Sequence, residues 1–260
     1  MNLPGKAAVI TGASRGVGRA TALALAQAGC SILINFNSSR DDAEQTAAAV
    51  RGLGAKAACF QGDIAQDAVC RSLMAAAVKE FGRLDVLINN AGTTRFIPFT
   101  DLEAVAEADW DRIFSVNLRG TFQCARAARP HLQAAGGGVI INVASVAGLT
   151  GAGSSIPYCA SKAGVINLTL ALARTLGPAI RVNAVAPGFI EGEWLRQGLG
   201  ADYEAAKQAK AEQALLGRVS RPEDIAAAIL SLIQADMVTG QTLVVDGGHS
   251  IGPRLAHGIK

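Results

Sequence analysis

The 260-residue chain predicts a doubly wound α/β fold, with helices on both faces of a seven-stranded, mainly parallel sheet. Three observations predict it. Short apolar runs alternate with longer helical patterns along the chain. The runs are apolar at consecutive positions, as in Val139-Ile140-Ile141, which suits strands covered on both faces. A glycine-rich turn joins the first run to the first helical pattern, a common arrangement for ligand binding in such sheets.

The elements follow in order. A first strand at 6–11 runs through Ala7-Ala8-Val9-Ile10 into the glycine turn and a helix at 16–28. Strands at 31–36, 55–60, 84–89, 138–144, 180–185 and 242–246 then alternate with helices at 40–53, 66–81, 109–135, 157–176 and 222–234. This is the pattern of repeated βαβ units, and residues 1–260 read as one domain. The least regular stretch is 188–216, with Gly188, Gly192, Gly198 and Gly200, turning helical from Glu204. It follows a strand on the side where ligands bind, so it is expected to be a substrate lid. The helix at 157–176 has few charges between Ala163 and Ala173. A helix apolar all round needs cover on both sides, which predicts a homo-oligomer.

Composition excludes several function classes. A net charge of +3 without a long basic run argues against nucleic acid. The five cysteines, Cys30, Cys59, Cys70, Cys124 and Cys159, form no CxxC pair, so no metal and no disulfide framework is expected. Cys159, beside Tyr158, reads as a small buried filler rather than a nucleophile. No apolar run reads as a membrane span and no signal-type core follows the N-terminus, so a cytoplasmic protein is expected.

The turn reads Thr11-Gly12-Ala13-Ser14-Arg15-Gly16-Val17-Gly18. Gly12 can make a tight turn, Gly16 lets the backbone approach a pyrophosphate, and Gly18 allows close helix–strand packing. Free N–H groups at the helix start then meet the phosphate charge. An NAD site usually has a carboxylate after the second strand; here Asn37, Ser38, Ser39 and Arg40 precede the first one, Asp41. Together with Arg15 they suit a 2′-phosphate, so NADP(H) is expected over NAD(H).

Tyr158 and Lys162 lie four apart and share a helical face. A lysine cation beside a tyrosine favours the phenolate and lowers its pKa, so the pair can move a proton at a substrate oxygen. Ser145 ends a strand where its hydroxyl can bond the reacting oxygen; a capping serine is the alternative. Asn117 is an amide in a partly apolar helical stretch that needs partners, either a water leading from Lys162 or neighbouring protein groups.

These residues together resemble the short-chain dehydrogenase/reductase family, whose members carry a Rossmann fold. The resemblance rests on the glycine turn, Asp63, Asn89-Asn90-Ala91-Gly92, Asn117, Ser145, Tyr158-x-x-x-Lys162, Pro187-Gly188 and Val245-Asp246-Gly247-Gly248. It implies that Tyr158 is the acid/base, that Lys162 lowers its pKa and holds the ribose, and that Ser145 positions the carbonyl. It further implies that Asn117 maintains a proton-relay water. Cofactor contacts are implied for Gly12, Ser14, Arg15, Gly16, Val17, Gly18, Asn37, Ser38, Ser39, Asp63, Ile64, Asn90, Ala91, Gly92, Tyr158, Lys162, Pro187, Gly188 and Ile190. A dimer or tetramer through the helices bearing Asn117 and Tyr158 is also implied.

Within the family the text is most similar to 3-oxoacyl-[acyl-carrier-protein] reductases. It departs from them in lacking the basic cluster before the fifth strand, where Leu132-Gln133-Ala134-Ala135-Gly136-Gly137-Gly138 stands, though Arg126, Arg129 and Arg174 could substitute. Gly192 replaces a usual cofactor-binding threonine, and the tail after Gly248 is longer. An acyl carrier protein is therefore a weaker expectation than a small carbonyl or alcohol substrate. The expected activity is NADP(H)-dependent interconversion of a ketone, 3-oxoacyl compounds included, and a secondary alcohol. A sugar or polyol dehydrogenase and a non-catalytic NADP-binding regulator are the alternatives.

Overall fold

The computed structural model describes residues 1–252, so most of the tail after Gly248 lies outside the described residues. Seven strands form one sheet: β1 (Ala7–Ile10), β2 (Ser31–Phe36), β3 (Ala57–Gln61), β4 (Val86–Asn89), β5 (Gly138–Val143), β6 (Ile180–Pro187) and β7 (Thr242–Val245). Their order is β3-β2-β1-β4-β5-β6-β7. Every pairing is parallel, so the expected mainly parallel sheet is wholly parallel among the described residues. Parallel neighbours need crossovers, and the helices supply them.

Neighbouring residues of one strand feed opposite layers. Ala8 and Ile10 face one core with Ile32, Ile34, Ile225 and Ile229. Val9 faces the other, with Leu73, Leu87, Leu132 and Val182. This two-residue period is why the strands read as continuous apolar runs. The first layer holds α1 (Gly16–Gln27), α2 (Arg40–Gly52) and α10 (Pro222–Gln234). The second holds α3 (Asp67–Phe81), α5 (Thr121–Ala134) and α7 (Ile156–Leu176).

The expected helix at 109–135 is three pieces. α4 (Glu107–Phe114) passes through a π turn at Ser115–Gly120 into α5. Asn117 sits inside the π turn, and Thr121 donates its hydroxyl to the Asn117 carbonyl at 2.7 Å. Such widened turns often mark functional sites.

α7 starts one residue earlier than expected. Ser155 caps it by accepting from Tyr158 N at 3.4 Å, and Pro157 suits the first turn. A short helix, α6 (Ala147–Thr150), precedes it. α7 corrects one reading: by length and a mean hydropathy of 1.2 it could cross a membrane. Its apolarity has another source, because it lies against the sheet and carries the buried Lys162.

The 188–216 stretch is more regular than expected. It forms α8 (Glu193–Leu199), a 3₁₀ turn at Gly200–Asp202 and α9 (Tyr203–Gln213). The helix from Glu204 was legible in the sequence; α8 was not.

Candidate active site

The glycine turn sits at the carboxyl end of β1, beside the point where strand order reverses between β1 and β4. Gly12 has φ +61, and a Cβ there would lie 2.9 Å from Ala91 Cα. At Gly18 a Cβ would meet Gly12 O at 2.5 Å and Ala13 Cα at 2.7 Å. These two glycines let turn, helix and β4 loop close on one another. Gly16 differs: with φ +53, a Cβ there would meet nothing within 4 Å. It is the place where a ligand can approach the backbone. The first helical bond of α1 runs from Arg19 N to Arg15 O, so the N–H groups of Gly16, Val17 and Gly18 point out of the helix start. This geometry suits a pyrophosphate.

Asn90 holds the turn from behind, donating from Nδ2 to Thr11 O and Gly12 O at 2.9 Å each. Thr11 Oγ1 accepts from Asn90 N at 2.9 Å and from Ala91 N at 3.0 Å. Ser14 O accepts from Thr46 Oγ1 at 2.9 Å.

At the end of β2, Arg15 donates to Ser39 Oγ at 2.9 Å and pairs with Asp42 at 3.3 Å. Asn37 and Ser38 are exposed beside them, and Asn37 O accepts from Gln61 at 2.9 Å. Arg40 is turned away, over the Phe36 ring and onto Gln61. Nothing in the sequence signals that Asp42 shares Arg15. Beyond β3, Asp63 accepts from Ala65 N at 3.0 Å and from Arg112 at 2.7 Å. Burial pushes its pKa up, but these bonds outweigh it and hold the carboxyl below its usual value. Ile64 is buried under Gly120.

The four residues expected to act in catalysis share the carboxyl ends of β4 and β5. Asn117 Oδ1 accepts from Thr93 N at 2.8 Å, and Nδ2 donates to Thr93 O at 2.9 Å and Ser161 Oγ at 3.0 Å. The amide therefore clamps the β4 loop to α7, and Thr93 and Ser161 are the partners that the sequence left unnamed. A Cβ on Gly92 would sit 3.5 Å from Asn117 Oδ1 and 3.6 Å from Lys162 Nζ. Gly92 keeps that gap open. Ser145 bonds the Tyr158 hydroxyl, and its Oγ accepts from Ala147 N at 3.1 Å, so it is both cap and partner.

Lys162 is 4% exposed, donates to Val143 O at 2.7 Å and sits 5.7 Å from the Tyr158 ring centre. Burial lowers its pKa to about 8. Burial pushes the Tyr158 hydroxyl up to about 12, and the Ser145 bond only partly opposes this. The expected lowering of Tyr158 by Lys162 is thus not what the chain's own side chains produce. Desolvation dominates, and the Lys162 ammonium is bonded to the Val143 carbonyl. Cys159 is buried, and burial raises its thiol pKa, which suits a filler.

Pro187 ends β6, and its carbonyl accepts from Val146 N at 3.0 Å. A Cβ on Gly188 would lie 2.6 Å from Asp246 Cβ, so this glycine is needed for packing against the loop after β7. Ile190 bridges to Ser220. Two aromatic residues at the site, in the 188–216 and 93–99 segments expected to decide the substrate, carry no individual signal in the sequence. Trp194 on α8 stands 6.2 Å from Tyr158 and 6.0 Å from Phe96, ring centre to ring centre.

A family model described as enoyl-(acyl carrier protein) reductase matches residues 12–250. The chain belongs to the short-chain dehydrogenase/reductase family. It is 45% identical over 242 residues to a Streptomyces violaceoruber protein named as ketoacyl reductase 2 of the granaticin polyketide synthase, covering 93% of this chain and 94% of that one. It is 38% identical over 246 residues to the 3-oxoacyl-[acyl-carrier-protein] reductase of Staphylococcus aureus, covering 94% and 97%. A solved short-chain dehydrogenase/reductase from Burkholderia xenovorans matches at TM-score 0.88 and 40% identity, covering 95% and 98%. The protein is an oxidoreductase of ketone and alcohol groups that uses a nicotinamide cofactor.

Proposed function

We propose that the chain is an NADP(H)-dependent, cytoplasmic, homo-oligomeric enzyme that reduces a ketone to a secondary alcohol, with Tyr158 as the proton donor. The observation that carries this reading is the Ser145–Tyr158–Lys162 group beside the open glycine turn, with Lys162 buried and the two hydroxyl residues half-buried. A hydroxyl pushed up to about 12 stays protonated at neutral pH, so Tyr158 is set to act first as an acid. Ser145 shares its bond with the Tyr158 oxygen and can hold the ketone oxygen at the same point. The Lys162 ammonium would add positive charge where an alkoxide forms and would meet a ribose hydroxyl; its Nζ lies 3.6 Å from where a Gly92 Cβ would be, which supports this. Asn117 keeps that gap in shape by holding Thr93 to α7. The bound cofactor supplies the hydride.

The cofactor-holding residues would be Gly12, Ser14, Arg15, Gly16, Val17 and Gly18 at the phosphates, with Asn37, Ser38 and Ser39 at the 2′-phosphate. Asp63 and Ile64 would meet the adenine, Asn90, Ala91 and Gly92 the ribose side, and Pro187, Gly188 and Ile190 the nicotinamide. The chain would act as one domain with 188–216 as its lid. Dimer or tetramer contacts would use the outer faces of α4, α5 and α7.

A carbonyl panel followed by consumption of NADPH and of NADH, in the parent enzyme and in Arg15→Ala, tests the reading. The parent should favour NADPH. Loss of a charged hydrogen-bonding partner should raise KM for NADPH about tenfold or more and leave NADH within about twofold. Equal effects on both cofactors would remove the NADP assignment, and no turnover of any carbonyl would remove the reductase reading.

A further inference from the structure

The loop after β4 and helix α8 meet at an aromatic joint that the proposed roles leave unused. Trp194 and Gly198 are four apart and share one face of α8. A Cβ on Gly198 would fall 2.0 Å from Phe96 Cε2 and 2.2 Å from Cζ, so the Phe96 ring edge fills the notch left by the missing side chain. The same ring meets Trp194 at 6.0 Å with a 59° tilt, and Trp194 meets Tyr158 at 6.2 Å with a 46° tilt. Ring contacts therefore form a continuous line from the loop, through α8, to the proton donor.

This line is fixed at its outer end. Ile97 is buried and donates its N–H to Ser154 O at 2.9 Å, and the Thr94 and Ser154 hydroxyls bond at 2.7 Å. Phe96 is thus a fixed post on which α8 docks. Nearby charges are drawn elsewhere. Arg95 pairs with Asp109, Glu193 accepts from Gln197, and Arg196 lies over Tyr203 and pairs with Glu204. Trp194 nevertheless remains 50% exposed beside Tyr158. A half-exposed apolar surface therefore borders the Tyr158 ring, held on one side by Phe96.

We infer that Phe96 and Trp194 are specificity-determining residues, and that the preferred ketones carry the carbonyl in or next to a ring that lies against the Trp194 indole. This rests on the ketone-reductase reading. A fixed aromatic wall rewards flat apolar area. A ring has few rotors to freeze there, whereas an open acyl chain must order many. Both effects favour the ring.

The test compares a decalone with an open-chain 3-oxoacyl thioester of equal carbon count. The parent should reduce the decalone with a kcat/KM about tenfold or more above the thioester. Trp194→Ala should lower the decalone value about tenfold, mainly through KM, leave the thioester within about twofold, and be largely rescued by Trp194→Phe. The chain has two tryptophans, so in a Trp110→Phe background the emission reports Trp194 alone. With NADP⁺ present, decalone should change that emission saturably and the thioester should not. A preference for the thioester, equal losses in Trp194→Ala, or an indole silent to decalone would overturn the inference. A saturable emission change without turnover of either ketone would keep the wall and remove the reductase reading.

Discussion

The two ends of the central sheet both bury ionisable groups, and they treat them in opposite ways. At the amino end, Asp85 is fully buried but surrounded by partners. Arg83 reaches both of its oxygens at 2.7 Å, Lys6 stands at 3.1 Å, and Ala7 N donates at 3.0 Å. Burial alone would raise its pKa; Arg83, Ala7 and Lys6 together bring it below the usual value. At the carboxyl end, Lys162 is nearly as buried, and its hydrogen bond goes to a neutral carbonyl. Its pKa falls to about 8, while that of Tyr158 rises to about 12. The first arrangement is what a structural charge needs. The second carries a standing cost in stability, which is how working proton donors are often held.

Substitutions at each end can break or sharpen this contrast. Asp85→Ala leaves Arg83 and Lys6 without their carboxylate and Ala7 N without its acceptor. It should cost about 3 kcal/mol of unfolding free energy, with kcat per folded molecule within about twofold. Denaturant unfolding with parallel kinetics measures both; a large kcat loss without destabilisation would erase the contrast.

Lys162→Met should do the reverse. A lysine moved from its ordinary 10.5 to about 8 corresponds to about 3 kcal/mol against the folded state at neutral pH. Removing it should therefore stabilise the protein by about 2 kcal/mol, after the lost bond to Val143 O, while turnover falls sharply. The pH dependence carries the sign. The folded state binds fewer protons than the unfolded one between about 8 and 10.5, so the lysine's penalty shrinks as pH rises through that window. The gain from Lys162→Met should be full below about pH 8 and fade above it. A destabilised Lys162→Met, or a gain that grows with pH, would contradict this account.

Much of this site was legible in the sequence. The glycine turn could be read because each glycine answers a local demand: Gly12 and Gly18 make the tight turn and close packing read for them, and Gly16 faces open space. The strands could be read because burial on both faces leaves a continuous apolar run. The π turn could not, since the partners of Asn117 within it, Thr93 and Ser161, are 24 and 44 positions away. The raised pKa of Tyr158 is not legible for a related reason. The four-residue spacing to Lys162 is local, but the desolvation that raises the hydroxyl comes from the whole tertiary site. The joint of Phe96 with Gly198 likewise links two distant segments, and a glycine in 188–216 gave no hint of which ring would fill its notch.

The central claim is that Tyr158 gives the proton to the ketone oxygen. The most direct measurement is single-turnover NADPH oxidation by Tyr158→Phe with a ketone that the parent reduces, alongside NADPH binding and thermal unfolding. Removing a hydroxyl that acts as the acid should slow the reaction about 10²- to 10⁴-fold, with NADPH affinity within about threefold and stability undiminished. Turnover within about tenfold of the parent would contradict the account.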